Sequence, residues 1–194
     1  MAVIVGITGK AGSGKDTAVE QFMSAHEHPL AYRLAFGTGV KHAAAYIFQE
    51  PLGKFYDNKE DMSAQWGITY REMLQKLGTD FARDMIDKDF WVKWLSNKVV
   101  EVADSIKLVF VTDVRFDNEA DWIKKCGGIV VEIQRPGSIS ILDEAEQKHP
   151  SEHGVDRALI DVTIINRGTI PRLGEKLEAV LKGWKVIPAK QIDK

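Results

Sequence analysis

The apolar run Val3-Ile4-Val5-Gly6-Ile7 leads into Gly9-Lys10-Ala11-Gly12-Ser13-Gly14-Lys15-Asp16-Thr17, and no other stretch constrains the fold as tightly. A buried strand feeding a glycine-rich turn that ends in Gly-Lys is the layout of a phosphate-binding P-loop. The glycines let backbone N–H groups converge on phosphate oxygens. The helix that follows adds the positive end of its dipole, and Lys15 adds a mobile full charge. Asp16 stands where the usual pattern has Ser or Thr, and Thr17 comes one place late. A magnesium ligand here is therefore a shifted hydroxyl, Thr17, or a carboxylate, Asp16, itself a good hard ligand. A plain strand–turn–helix is the competing reading, and it would have to supply both flanks of the motif by chance.

The rest of the chain alternates strand and helix. Strands are expected at Ala2–Thr8, Leu30–Phe36, Lys107–Thr112, Gly128–Gln134 and Asp161–Ile165, short apolar runs of the kind that form buried parallel strands. Between them apolar residues recur at helical spacing, as in Ala18, Phe22 and Met23, then Met73, Leu74 and Leu77, then Leu173, Leu177 and Leu181. This pattern implies an α/β fold with a parallel five-stranded sheet, helices on both faces, and ligands at the carboxyl ends of the strands. Two segments stand outside that core. Residues 50–104 are mostly helical, and residues 135–156 are polar and rich in charge. In a nucleotide enzyme an insert of the first kind often forms an acceptor site, and the second resembles a lid. The blander reading is a helical subdomain and a surface loop. The core of this single domain is then 1–49, 105–134 and 157–184, with a peripheral tail beyond Trp184.

Composition narrows the partners. The 26 basic and 28 acidic residues give a net charge of −2, so nothing in the charge balance calls for a nucleic acid. The single cysteine, Cys126, cannot form an internal disulfide, and its setting reads as the buried last turn of a helix. No apolar run approaches bilayer length, and the apolar start lacks a basic leader, so it reads as a strand. The expectation is a cytoplasmic enzyme with small-molecule substrates and neither a membrane nor a nucleic-acid partner. Monomer and homodimer both stay open.

Phosphoryl transfer asks for positioning and charge neutralisation more than covalent chemistry. When the acceptor is itself a phosphate, its oxygen is already anionic and no general base is required. Cations in suitable places are Lys41, Arg71 and Arg83, Arg115 after the third strand, and Arg135 after the fourth. A continuous helix would put Arg71 and Arg83 on broadly one side, where two guanidiniums could grip a monophosphate. Alternatively they pair with Glu72, Asp80 or Asp84 on a solvated face. Asp113, at the end of the third strand, suits a magnesium-organising or acceptor-contacting acid, or else caps the next helix. The aromatics Phe36, Tyr70, Phe81, Phe90, Trp91 and Trp94 offer a base something to stack on, or simply form core.

Two motifs are discounted. His149-Pro150-Ser151-Glu152-His153 fits the HxxEH zinc pattern, but Pro150 breaks the helix that pattern needs. Asn58-Lys59-Glu60-Asp61 matches the base-reading motif of GTPases, yet it follows no strand and the chain has no D-x-x-G.

Taken together, several stretches resemble the phage-type deoxynucleoside monophosphate kinases. They are Gly14-Lys15-Asp16-Thr17; Leu34-Ala35-Phe36 with Lys41; Tyr70 through Asp80; Phe90-Trp91-Val92; Val111 through Ala120; and Asn166-Arg167-Gly168-Thr169. The resemblance runs over nearly the whole chain in the family's order, and the departure at Asp16 agrees with this family. It implies a nucleoside monophosphate kinase fold and transfer of the γ-phosphoryl of ATP to a deoxynucleoside monophosphate with magnesium. By that resemblance Gly12 to Thr17, with Ala11 in the same loop, would hold the ATP phosphates, with Asp16 and Thr17 toward the metal. Asn166 to Gly168 would lie near adenine. Lys41, Arg71, Gln75 and Thr79 would line the acceptor site, with Arg83 close by and Phe36, Gly37, Tyr70, Trp91 and Asp113 grouped with them. Lys15, Asp16, Arg115 and Arg135 would act on the transferring group, and the lid residues Ser151 and Glu152 would contact the acceptor.

Two alternatives stand beside this. One is another small-molecule P-loop kinase, resembling dephospho-coenzyme A kinase or phosphomevalonate kinase. The other is a nucleotide-binding module without transfer activity, against which Arg71 and Arg115 argue.

Overall fold

The structure, a computed structural model, describes residues 2–26, 31–137 and 153–187. Five parallel strands form one sheet: β1 (Val3–Thr8), β2 (Ala31–Leu34), β3 (Leu108–Val111), β4 (Ile129–Gln134) and β5 (Val162–Ile165). Each falls within two residues of the sequence expectation, and the largest departure is at β2, which stops at Leu34 because Phe36 already opens a helix. The spatial order is β2-β3-β1-β4-β5. β1 is therefore central, with Val5 level with Phe110 of β3 on one side and Ile129 of β4 on the other. A central strand covered on both faces has no solvated side, which is why its run is apolar without alternation. Strand order reverses around β1, so the loop that follows it sits at the sheet's switch point, where α/β sheets place their ligands.

The chain divides into two compact units, Met1–Arg33 with Val102–Lys194, and Leu34–Glu101. In the first, α1 (Lys15–His26), α6 (Asp117–Lys125) and α7 (Ile170–Gly183) accompany the sheet. Leu173, Leu177 and Leu181 of α7 recur at helical spacing and join Ala18, Val19 and Phe22 of α1 in one core cluster. Phe22 meets Phe110 edge-on, with ring centroids 5.4 Å apart. Burying each such large apolar side chain contributes about 1.5–3 kcal/mol. α1 and α7 approach closely because Gly174 has no side chain; a Cβ there would stand 2.7 Å from Gln21 Cβ. Cys126 departs from expectation. α6 ends at Lys125, the chain turns through Gly127 at φ +76°, and the thiol is exposed rather than buried on the helix stripe. Partial desolvation still pushes that thiol up, away from the reactive thiolate.

The second unit holds α2 (Phe36–Phe48), α3 (Lys54–Asp57), α4 (Tyr70–Gln75) and most of α5 (Phe90–Val102). The sequence reading grouped α2 with the sheet; it clusters instead with this unit, because Ala44 packs with Phe55, Tyr70 and Met73 in a separate apolar core. α4 opens on a capping box, Glu72 N–H to Thr69 Oγ1 at 3.1 Å and Thr69 N–H to Glu72 Oε2 at 2.8 Å. It then widens into a π-helix over Lys76–Ile86 rather than continuing as an α-helix. The backbone of that π-helix is packed tightly at Gly78. A Cβ there would lie 3.1 Å from Val40 Cγ1 of α2, and the Gly78 carbonyl accepts the Trp91 indole N–H at 2.8 Å.

Candidate active site

Leaving β1, the chain turns through Gly9, Gly12 and Gly14 at φ +135°, +72° and +101°. Side chains are strained in that region, so only glycine suits all three places. Space adds to the demand at two of them. A Cβ on Gly9 would collide with the Ile133 carbonyl of β4, and one on Gly14 would sit 2.7 Å from Asn166 Nδ2. Asn166, just past β5, donates that amide to the Ser13 carbonyl at 2.8 Å, bracing the loop from a neighbouring strand end. Lys15 Nζ bends back over the loop and donates to the Gly9 carbonyl at 2.7 Å and the Lys10 carbonyl at 2.9 Å. A full positive charge is thus held beside the first turn of α1, where the helix N–H groups lack intrahelical partners. Asp16 lies in that first turn with an exposed carboxylate, 3.6 Å from Arg33 Nη1, and Thr17 follows it half-buried. Ser13 Oγ is buried without a hydrogen-bond partner. An orphaned hydroxyl of this kind costs about 1–3 kcal/mol, a sign that the loop's shape is not set by stability alone.

The turn after β3 carries Asp113, half-buried, and Arg115. Glu119 is a buried carboxylate at the start of α6. Its Oε2 accepts the backbone N–H of Arg115 at 2.8 Å and of Phe116 at 3.1 Å. Glu119 thereby fixes the main chain from which the Arg115 side chain springs. Arg135 is exposed directly after β4, and Gly168 is exposed at φ +117°. Ser151 and Glu152, and His149 to Glu152 of the discounted zinc pattern, lie outside the described residues.

The remaining acceptor candidates all belong to the second unit. Lys41 on α2 places Nζ 4.0 Å from the centroid of the Tyr56 ring, a cation–π contact. Arg71 on α4 donates from Nε to both Glu60 oxygens at 2.9 and 3.0 Å, and from Nη2 to Glu60 as well. Arg83 Nη1 reaches the Lys88 carbonyl at 3.3 Å. The helix that carries Arg71 and Arg83 widens from α to π geometry between them, over Lys76–Ile86. Gln75 closes α4, half-buried, and Gly37 is half-buried near the start of α2. Phe36, Tyr70, Thr79 and Trp91 are buried. The core reading of the aromatics describes Tyr70 and Trp91: one stacks edge-on against Phe55, and the other gives its indole N–H to Gly78. Tyr70 also donates its hydroxyl to Glu50 at 3.0 Å. Burial first, and then the Glu50 carboxylate, raise its phenol above the ordinary tyrosine range.

Residues 38–177 match the deoxynucleotide monophosphate kinase family. That match begins beyond the P-loop, so motif and match are separate observations. A protein of Acanthamoeba polyphaga mimivirus, provisionally named a deoxynucleotide monophosphate kinase, is 32% identical, covering 87% of this chain and 90% of its own length. The chain belongs to the deoxynucleotide monophosphate kinase family. The deoxynucleoside-5′-monophosphate kinase of Escherichia phage T5 is 24% identical, covering 86% of this chain and 90% of its own. Among solved structures, a Thermus thermophilus protein aligns with a TM-score of 0.55 at 20% identity, covering 94% of this chain and 97% of its own, a likeness of fold. The chain is thus a phosphotransferase that phosphorylates deoxynucleoside monophosphates, small-molecule substrates, with ATP as the nucleotide that such a kinase uses.

Sequence reasoning passed over three carboxylates, two in the second unit and one in the first. Glu60 holds Arg71, Glu119 holds the Arg115 backbone, and Glu50 accepts from Tyr70 and from Ser63. Only Glu119 carried a local signal, as the acidic third residue of a helix opening at Asp117. The partners of Glu60 and Glu50 are eleven or more residues away in sequence, beyond any periodic pattern.

Proposed function

We propose that residues Ala11 to Thr17 hold the ATP phosphates and that Lys41, Arg71, Gln75, Thr79 and Arg83 receive the deoxynucleoside monophosphate. What carries this reading is the loop at the end of the central strand, with three glycines at positive φ and Lys15 Nζ donating to the Gly9 and Lys10 carbonyls. Lys15 exchanges those two carbonyls for phosphate oxygens when ATP binds, and loop N–H groups take the remaining oxygens. Arg115 and Arg135, each just past a strand of the sheet, balance the charge that spreads over the transferring phosphoryl group. Asp113, following β3, serves the acceptor or the metal in this reading. The acceptor's own phosphate oxygen is the nucleophile, so no side chain need remove a proton.

A magnesium ion, when bound, supplies further neutralisation of the phosphate oxygens. Among the described residues no group of three or more His, Cys, Asp or Glu could hold a metal alone. The Asp16 carboxylate or the Thr17 hydroxyl would be the protein's hard oxygen ligand to such an ion. No helix among the described residues is long and apolar enough to cross a membrane. The enzyme works in the cytoplasm, where both substrates are, without a nucleic-acid partner.

Arg71→Ala and Lys15→Ala separate the two halves of the reading. The first should raise the acceptor KM strongly while ATP binding stays near the parent value. The second should lower kcat by about 10²–10³, the usual loss when a charge aimed at the transition state is removed. Equal loss of ATP binding in folded Arg71→Ala protein would overturn the acceptor assignment.

A further inference from the structure

The discounted segment Asn58-Lys59-Glu60-Asp61 reads no base, yet it packs against the start of α4 through several distinct contacts. The Arg71 N–H donates to the Lys59 carbonyl at 2.8 Å, and the Tyr70 N–H to the Asp61 carbonyl at 3.2 Å. Met62 and Thr69 form an antiparallel bridge that closes the loop between them. Asp61 Oδ2 lies 3.5 Å from Lys54 Nζ, which ties the segment to α3. Held between these backbone contacts, Glu60 grips the Nε–Nη2 edge of Arg71.

From this arrangement we infer that Glu60 is a positioning residue for the phosphoryl acceptor: it sets the guanidinium of Arg71 so that the opposite, Nη1 side meets the acceptor's phosphate. This inference rests on the reading of Arg71 as an acceptor-binding residue. The planar fork of a guanidinium turns Nη1 away from a carboxylate seated on the Nε–Nη2 edge. The same residue pair, 59 and 60, bonds both the backbone and the side chain of Arg71, so the orientation is fixed before substrate arrives. The Arg71 side chain is 20% exposed and that of Glu60 63%, so the pair stands at the surface with its guanidinium largely enclosed. Pre-setting a long, flexible cation in this way removes an ordering cost from binding.

The sign of one kinetic change decides the matter. A carboxylate near a phosphate repels it, so Coulomb repulsion alone predicts that neutralising Glu60 tightens acceptor binding. Positioning predicts the reverse. Glu60→Gln keeps the size but presents an amide N–H to the guanidinium donors, which breaks the bidentate grip. Steady-state kinetics should show the acceptor KM rising roughly tenfold, with kcat and the ATP KM within about twofold. The thermal midpoint should stay within about 2 °C of the parent. Glu60→Asp, which keeps the charge, should recover part of the KM. Adding Glu60→Gln to Arg71→Ala should cost nothing more, because the positioned group is already gone. An acceptor KM that falls or holds steady in Glu60→Gln overturns the inference while leaving the acceptor site intact. An acceptor KM unmoved by Arg71→Ala itself overturns the reading on which the inference rests.

Discussion

Three glycines in this chain form a graded test of how the P-loop is built. Gly53 has φ −57°, and nothing lies within 4 Å of where its Cβ would be. Gly53→Ala should therefore be neutral or stabilising by up to about 1 kcal/mol, since it only removes unfolded-state freedom. Gly12 is as open but sits at φ +72°, so Gly12→Ala carries backbone strain alone, about 1–2 kcal/mol. Gly14 combines both demands. Its φ of +101° strains any side chain by about 1–3 kcal/mol. The new Cβ would stand 2.7 Å from Asn166 Nδ2 and 3.1 Å from Leu173 Cδ2. Asn166 would have to swing away from the Ser13 carbonyl, losing a hydrogen bond worth about 0.5–1.5 kcal/mol. With some repacking of Leu173, Gly14→Ala should cost about 3–5 kcal/mol. That is a large share of the stability of an ordinary domain. Urea unfolding of the three variants reads the order directly from the midpoints, provided the slopes agree. A double-mutant cycle with Asn166→Ala sharpens it: the pair should cost about 1 kcal/mol less than the sum of the singles. If Gly14→Ala costs no more than Gly12→Ala, or if the cycle shows no coupling, Asn166 does not brace the loop.

Two further outcomes follow from the second unit. Trp91→Phe leaves the ring volume nearly filled but strips the Gly78 carbonyl of its indole donor, and should cost about 1–3 kcal/mol in urea unfolding. Tyr70 tests the pH dependence. Its folded pKa is raised above 10.0, so its contribution is present in full below pH 10 and is lost as pH rises through the folded value. Alkaline titration of the melting temperature should show a falling limb that Tyr70→Phe flattens; an unchanged limb would mean Tyr70 is not its source.

The sheet was legible because each strand announces itself locally. Val3–Thr8 and Leu108–Val111 are apolar runs short enough to be strands, and the glycine-lysine turn marks which of them is central. The glycine-rich loop was legible for the same reason, since its motif lies within nine consecutive residues. The second unit was harder. The residues of 70–86 carry an amphipathic pattern that reads as one α-helix. The π geometry shows itself only once Gly78 is packed against Val40 and bonded to Trp91. Pairing was hidden too. Glu72 lies one residue from Arg71 in sequence but closes the capping box with Thr69, whereas Glu60 arrives through a loop that no periodicity describes. Cys126 failed for a related reason: the end of α6 is set by the turn at Gly127, one residue beyond where the apolar stripe would have placed the thiol.

The most direct test of the whole account is a coupled ADP-release assay with ATP and magnesium, run against the common deoxynucleoside monophosphates and their ribo counterparts. The expected result is acceptor-dependent ADP formation with one or more deoxy substrates, abolished in step with Lys15→Ala. Folded protein that binds ATP but turns over none of the deoxynucleoside monophosphates would contradict it.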